Sequence, residues 1–148
     1  MDLTDANTRD TSTVYRLEDQ VGYLLRLASQ RHALIFQANT LEGLTPTQFS
    51  ALVRVAELGE CSQNRLGRLV SMDVATIKGV VDRLHKKGLV SMAPDESDRR
   101  RTTIRPTQAA LDMIADLHAM GFHISDETLE PLNAEERQLL LKLLVKIT

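Results

Sequence analysis

The sequence predicts a mainly α-helical domain with one small β-hairpin, an α+β architecture. Three observations favour this fold class. Apolar residues recur at three- and four-residue steps over most of the chain, which is the spacing of amphipathic helices. Helix-capping residues stand in front of these stretches. The segment 89–105 is instead alternating or β-branched at its ends and charged in its middle, which is typical of a hairpin.

Composition bounds the class of protein. The 148 residues, 43% of them hydrophobic and 26% charged, suffice for one domain with a core. No run approaches the roughly 18 uninterrupted apolar residues of a membrane-spanning helix, so no membrane partner is predicted. The single cysteine, Cys61, excludes an internal disulfide. Acidic residues at the N-terminus (Asp2, Asp5 and Asp10) are unlike a secretory signal, so a cytoplasmic location is expected.

Two helices are predicted in the first part of the chain. Residues 15–38 have apolar side chains at helical spacing and form a long amphipathic helix. The next helix is announced by Thr45 as its cap and by Pro46 at its first position. Gln48 returns the hydrogen bond to the cap, as in a capping box. This second helix ends at Gly59, a residue suited to a helix C-terminus.

Two short helices joined by a tight turn follow. Ser62 caps the first of them, and Ser71 or Asp73 caps the second, which runs to Lys87 and stops at Gly88. The hairpin comes next, with strands at 89–92 and 102–105 around a charged tip.

The chain closes with two further helices. Thr107 caps one that reaches about Glu127, and its inner face is predicted to carry Leu111, Ile114 and Leu117. Asn133 and Glu136 form a capping box for a last, leucine-rich helix. The terminal helices, in residues 15–44 and 107–148, therefore flank a central lobe of residues 45–106.

Charge is distributed unevenly along the chain. Residues 62–106 hold ten Lys or Arg and five acidic residues, a net +5, which leaves −7 for the rest. A basic centre between acidic ends is typical of a module that binds a polyanion. Charge alone is equally compatible with a solvated, salt-bridged face.

A helix-turn-helix followed by a two-stranded wing suits double-stranded DNA, because the second helix can enter the major groove while the wing reaches a neighbouring minor groove or phosphate. In that second helix Ile77, Val81 and Leu84 share the core face. The outer face then carries the candidate DNA contacts Ala75, Thr76, Lys78, Gly79 and Arg83. A glycine inside a helix costs ~1 kcal/mol relative to alanine, so Gly79 indicates a close approach of the backbone to bases.

The hairpin tip adds three arginines, Arg99, Arg100 and Arg101. Arginines at a wing tip suit the negative potential of a narrow minor groove. Asp98 beside them is better suited to orient an arginine than to contact DNA. The alternative is an ordinary solvated loop.

These segments together resemble the MarR family of bacterial transcription regulators. The resemblance rests on V-D-R-L followed by K-G-L-V in residues 81–90, on D-x-x-D-R-R in residues 95–100, and on Thr107 at the start of the next helix. Pro106, where the family usually has an apolar strand residue, and Ala110, where a glycine is common, depart from the pattern.

The resemblance implies a homodimer, built by the N- and C-terminal helices, that binds a pseudo-palindromic operator as a repressor and is released by a small molecule. By match to the motif, Arg83 supports base or backbone contacts, and Asp98 and Arg100 form the wing pair. Arg99 or Arg101 also lies near phosphate.

The resemblance also implies an effector site between the dimer helices and the DNA-binding lobe. The candidate residues there are Tyr23, Arg26, Arg31, His32 and Phe49. An aromatic wall with an arginine or a protonatable histidine suits an aromatic acid. Residues 17–36 most resemble family members that control degradation of aromatic or pyridine carboxylates, so such a carboxylate is the expected effector. Alternatively, the arginines are surface residues and His32 packs at the dimer interface.

Two other functions stay open at this point. Cys61, at the start of the third helix, can serve a thiol-based redox sensor if the helix dipole and Arg65 lower its pKa. The chain can also be a helical protein-interaction module without specific DNA binding. An enzyme is not expected, because no G-x-S-x-G or phosphate-loop motif occurs. No cofactor is predicted, and no metal site either, since His118 and His123 are five residues apart.

Overall fold

The computed structural model describes residues 14–148, which form six helices and a three-stranded antiparallel sheet. The helices are α1 Val21–Asn39, α2 Pro46–Leu58, α3 Gln63–Leu69, α4 Val74–Lys86, α5 Gln108–Thr128 and α6 Ala134–Lys146. The strands are β1 Cys61–Ser62, β2 Val90–Pro94 and β3 Thr102–Pro106. The predicted fold class, mainly helical with a small hairpin wing, is confirmed. The acidic N-terminal residues lie outside the described part of the chain.

Local capping chemistry sets where most helices begin. The side chains of Thr45, Ser62, Asp73, Thr107 and Asn133 each accept a hydrogen bond from the backbone amide three residues later. The caps of α2 and α6 are complete capping boxes, as predicted. Of the two candidates for α4, the cap is Asp73 rather than Ser71.

The first helix begins later than predicted. Leu17–Asp19 form a short 3₁₀ turn, and α1 starts only at Val21. The break lies at Gln20, whose backbone is extended and whose N–H donates to the Leu17 carbonyl three residues back, at 3.0 Å. Apolar periodicity continues through this point, so the continuous helix predicted over residues 15–38 is wrong at its N-terminal end.

The sheet contains a strand that the sequence pattern did not predict. β1 pairs with β3, with Cys61 opposite Ile104 and Ser62 opposite Thr103, so the strand order is β1-β3-β2. Two residues are too short to show an alternation. β1 nevertheless attaches the start of α3 to the wing. Pro106 is the last residue of β3 and lies opposite Val90.

The core lies in the central lobe, where α2, α3, α4 and α5 meet the sheet. Its largest completely buried side chains include Leu52, Leu66, Ile77, Leu84, Ile104 and Leu117. The predicted core face of α4 is confirmed, with Val80 in addition. The inner face of α5 differs from the prediction: Leu111 is 41% exposed and Ile114 only partly buried, because the buried row runs through Ala110, Leu117 and Ile124.

Lys87 connects the C-terminal end of α4 to the turn between α1 and α2. The Nζ atom of Lys87 donates to the Glu42 carbonyl at 2.7 Å. Glu42 and Gly43 both have positive φ angles, of 53° and 62°. The turn is therefore held in a tight left-handed conformation against the C-terminal end of α4.

No helix among residues 14–148 combines the length and the apolar character that a membrane span requires.

Candidate functional site

The outward face of α4 is exposed and basic. Ala75, Thr76, Lys78 and Arg83 are exposed, and Gly79 is half-buried. Lys78 pairs with Asp82 at 3.0 Å, and both side chains are well exposed. An exposed pair of this kind contributes little to stability, so its lysine can exchange the carboxylate for another anion.

Nothing among residues 14–148 requires a glycine at position 79. A Cβ there would lie 3.5 Å from a terminal nitrogen of Arg83, an ordinary van der Waals contact. The helical cost of this glycine is therefore not explained by packing within the chain, which agrees with a partner approaching from outside.

The wing loop is ordered by two carboxylates. Asp95 accepts hydrogen bonds from the backbone and hydroxyl of Ser97, at 2.8 and 2.6 Å, and from the Asp98 amide. The Ser97 hydrogen bonds hold the pKa of Asp95 below its usual value. Asp98 pairs with the Nε atoms of Arg100 and Arg101, at 3.2 and 3.7 Å. Asp98 thus orients two arginines, as predicted, while the Arg99 side chain stays exposed.

A small aromatic cleft of about 210 Å³ lies between α1, α2 and α5. Its walls include Phe36 and Phe49, whose rings meet edge to face at 5.9 Å. Gly121 faces Phe49 so closely that a Cβ there would lie 3.1 Å from the ring. His32 completes the aromatic wall. Its Nδ1 bonds the hydroxyl of Thr128 at 2.8 Å, which leaves its Nε2 without a partner among residues 14–148.

The structure brings only two of the five predicted effector residues to this cleft, His32 and Phe49. Arg31 instead donates to the carbonyls of Thr128 and Glu127, at 2.5 and 3.0 Å, and caps the C-terminal end of α5. Its guanidinium is already engaged in these two hydrogen bonds. The prediction that Arg31 lines the effector cleft is therefore wrong.

Tyr23 and Arg26 also lie away from the cleft. The Arg26 guanidinium stacks over the Tyr23 ring at 5.5 Å from its centroid. Tyr23 precedes His32 by nine residues, about 13 Å along the helix axis. Neither residue lines the cleft.

Several cleft residues were missed by the sequence analysis. Phe36, Ser50, Gly121 and Ser125 all line the cleft. Only Phe36 gave a signal, as a member of the apolar row of α1. The others come from α2 and α5, and their meeting is a tertiary contact that no local pattern reports.

A second, more apolar groove of about 490 Å³ adjoins the cleft. It shares Phe36 and Pro46 with the cleft and extends along the α1–α2 turn past Thr40, Gly43 and Leu44. The turn that Lys87 holds therefore forms part of the wall of this groove.

Cys61 does not have the surroundings expected of a reactive thiol. It lies in β1 and is only 4% exposed. Burial raises the pKa of the Cys61 thiol, and the nearby charges of Arg65 and Arg68 only partly oppose this shift. The expectation of a lowered pKa is wrong, because desolvation outweighs the cationic neighbours.

The terminal helices expose large apolar side chains. α6 has no buried residue, and Leu139, Leu141, Leu143 and Val145 are all exposed. Phe122 on α5 is 75% exposed, and several apolar residues of α1 are exposed too, among them Val21, Leu24, Leu25 and Leu34. Exposed large apolar side chains in this number are typical of a protein–protein interface.

Comparison with known proteins identifies the family. Residues 44–102 match the model of the MarR family. The repressor NicR of Pseudomonas putida, an HTH-type transcriptional repressor, is 37% identical over 92% of this chain and 87% of its own length.

Two solved structures have the same fold over almost their whole length. A probable transcriptional regulator from Pseudomonas aeruginosa is 44% identical, covers 90% of this chain and 100% of its own, and superimposes with a TM-score of 0.86. BpsR of Bordetella bronchiseptica, whose DNA binding is regulated by 6-hydroxynicotinic acid, is 32% identical, with 91% and 97% coverage and a TM-score of 0.84. The chain therefore belongs to the MarR family of DNA-binding transcription regulators.

Proposed function

We propose that the protein is a dimeric repressor that binds a pseudo-palindromic operator and is released by a small aromatic or heteroaromatic carboxylate. The observation that carries the effector class is the aromatic cleft, where two phenylalanine rings and His32 surround a space of about 210 Å³. The similarity to NicR and to BpsR, a protein regulated by a pyridine carboxylate, supports the same class. The protein then acts on DNA in the cytoplasm and has no catalytic role.

DNA is bound by α4 and the wing. Thr76 and Lys78 donate hydrogen bonds to base edges or phosphates, Ala75 and Gly79 admit the backbone to the groove, and Arg83 contacts the bases or the backbone. Arg100, oriented by Asp98, enters the minor groove from the wing, and Arg99 and Arg101 add positive charge near phosphates.

The dimer is formed by the terminal helices, in residues 15–44 and 107–148. Burial of the exposed leucines of α6 and of the apolar face of α1 supplies the association free energy, at about 25 cal/mol per Å² of apolar surface removed from water. Two copies of the lobe then face two half-sites, as the two-fold symmetry of a palindrome requires.

In the cleft, the ring of the effector packs between Phe36 and Phe49. Its carboxylate accepts hydrogen bonds from His32 through Nε2 and from the hydroxyls of Ser50 and Ser125. The Thr128 hydroxyl fixes the imidazole through Nδ1. Because α1 and α5 both line the cleft and α2 belongs to the lobe, occupancy changes the fit between the dimer helices and the lobe.

A fluorescence-anisotropy titration on DNA upstream of the protein's own gene tests this proposal. Specific binding is expected, and 6-hydroxynicotinic acid, nicotinic acid and benzoic acids are then added in turn. Release by one of these acids supports the proposal. Tight binding that no carboxylate weakens but peroxide abolishes would instead favour a thiol sensor, and absence of specific binding would favour an interaction module.

Matched variants locate the effector site. His32→Gln is expected to raise the half-maximal effector concentration about tenfold, the effect of losing a charge-assisted hydrogen bond. Arg26→Gln, on the same helix but outside the cleft, should leave it unchanged. Thr128→Val removes the bond to Nδ1 while keeping the imidazole, so a smaller rise than that of His32→Gln is expected. Equal responses of His32→Gln and Arg26→Gln would contradict the site.

A further inference from the structure

A polar cleft of about 200 Å³ separates α3 from the wing, on the side of the loop that leads into β3. It is lined by Gln63, Asn64 and Arg68 on the α3 side and by Arg100, Arg101 and Thr102 on the wing side. The cleft exists because β1 pairs with β3. With Ser62 opposite Thr103, the first turn of α3 must lie beside the residues that lead into β3.

The cleft concentrates positive charge. Three guanidinium groups line it, and no carboxylate does. Asp98 contacts the Nε atoms of Arg100 and Arg101, and the terminal guanidinium nitrogens of both donate no hydrogen bond to any residue within 14–148. Arg68 likewise makes no side-chain hydrogen bond or ion pair with any described residue. The donors that face the cleft are therefore available to an anion.

The opposite side of the wing has the reverse charge. The pocket there is lined by three carboxylates, those of Glu60, Asp95 and Glu96. Its one arginine, Arg105, is already paired with Glu60 at 2.6 Å. A polyanion that meets the wing is therefore repelled on this side and attracted on the side of α3.

We propose that the cleft binds one backbone phosphate of the operator, held by Arg68 from α3 and by Arg100 and Arg101 from the wing. The inference rests on the proposed DNA-binding function and adds a site to it. A volume of about 200 Å³ holds several water molecules, each of which takes about 30 Å³, so a phosphate group has room to enter. The carboxamides of Gln63 and Asn64 supply further donors to its oxygens.

Such a contact also has a positioning role. One phosphate bound by α3 and by the wing together fixes the angle of the wing relative to the helix-turn-helix. Arg100 is then shared between the phosphate and the minor groove. The Nε atom of Arg100 donates to Asp98, so the terminal nitrogens of the guanidinium point away from this carboxylate.

A pair of arginines on α3 provides the test. Arg68 lines the cleft, whereas Arg65, three residues earlier and also exposed, does not. Arg68→Gln is expected to weaken binding about tenfold to operator and to unrelated duplex alike, since a phosphate contact carries no sequence information. The slope of log affinity against log salt should fall by about 1.8, because a dimer loses two contacts of about 0.9 each. Arg65→Gln should change affinity less than threefold.

Operator duplexes with single methylphosphonate linkages complete the test, because they leave the protein unaltered. One linkage in each half-site is expected to weaken the wild type and Arg65→Gln by a larger factor than Arg68→Gln, in which only Arg100 and Arg101 still contact the phosphate. No linkage with this behaviour, or equal losses for the two arginine variants, would overturn the inference while wild-type operator binding persists. A wild type without affinity for DNA would overturn the proposed function and the inference together.

Discussion

The central lobe buries most of its large apolar side chains within the chain, whereas the terminal helices leave many of theirs exposed. In the lobe, Leu84 and Ile104 are completely buried against other residues of the same chain. In α6, Leu143 is 47% exposed and no residue is buried. The lobe therefore obtains its core within one chain, with Leu117 of α5 contributing to it, whereas the exposed apolar side chains of α6 are available to a surface from outside. The difference separates folding of the lobe, which one copy achieves, from burial of α6, which the proposed dimer would supply.

The largest effect is expected from removal of α6, which tests whether the lobe folds without the helix proposed to form the dimer. A chain truncated after Asn133 is expected to stay folded in its lobe, because α6 contributes no buried residue. It should become monomeric and lose operator affinity by about 10³-fold, toward the level of non-specific binding. Sedimentation velocity and anisotropy measure the two effects, and circular dichroism checks the fold. A truncated monomer that held the operator as tightly as the full chain would contradict the proposal that operator binding needs the dimer formed through α6.

Arg100→Ala tests the lobe alone, because it changes a residue of the wing and leaves the terminal helices intact. The side chain is 91% exposed, and within residues 14–148 its one ion pair is with Asp98, so its loss should leave stability and dimerisation unchanged. Operator affinity should fall about tenfold or more, in the range of 1–3 kcal/mol for a specific contact.

Arg54→Ala serves as the control for that measurement, because Arg54 is an exposed arginine of α2 that pairs with Glu57 away from the wing. Equal affinities of the two variants in a binding titration would refute the role assigned to the wing.

Gly121→Ala tests the boundary between the two regions, where α5 meets the lobe. The new Cβ would lie 3.1 Å from the Phe49 ring, so the ring must move into the aromatic cleft. Effector affinity is expected to fall about fivefold, while operator binding without effector stays the same. Gly22→Ala is the matched control, because a Cβ there has no neighbour within 4 Å. Isothermal titration of the effector measures the change, and unaltered affinity in Gly121→Ala would move the site elsewhere.

Acidification gives the smallest expected effect, confined to the wing. Hydrogen bonds from Ser97 lower the pKa of Asp95 in the folded protein. Its contribution is therefore complete above the unfolded value of 3.8 and is lost as the pH falls through the lower folded pKa. Lower protection of the Ser97 and Asp98 amides, measured as the exchange rate relative to that of an unstructured peptide at the same pH, is expected only below about pH 4. Asp95→Asn should show the lower protection already at neutral pH, and unchanged protection there would show that other contacts order the loop.

Local chemistry was readable from the sequence, and long-range contacts were not. The capping box at Thr45 and Gln48 and the stop at Gly88 depend on residues within a few positions of each other. The use of Arg31 to cap α5 depends on carbonyls 96 and 97 residues away. The resemblance, which gives no information on this contact, therefore led to the prediction that Arg31 lies in an effector site that it does not line. β1 was missed for the same reason, since its only evidence is its pairing with β3.

The buried and exposed faces of α4 were predicted more completely than the lining of the cleft. On α4 the core face and the outer face alternate within one helix, so locating Ile77 and Leu84 also located Thr76 and Lys78. The cleft combines three helices, and only its α1 and α2 aromatic residues were visible in the pattern.

The bond from Lys87 to the Glu42 carbonyl makes α4 a lever with its pivot at one end. The helix has 13 residues and is therefore about 20 Å long. A rotation of about 10° about the Lys87 end would carry the Asp73 end through about 3 Å, which is the length of a hydrogen bond. Because the pivot belongs to the turn that walls the apolar groove beside Phe36, a small shift of this turn would be multiplied at the opposite end of α4, which carries the exposed residues Ala75 and Thr76.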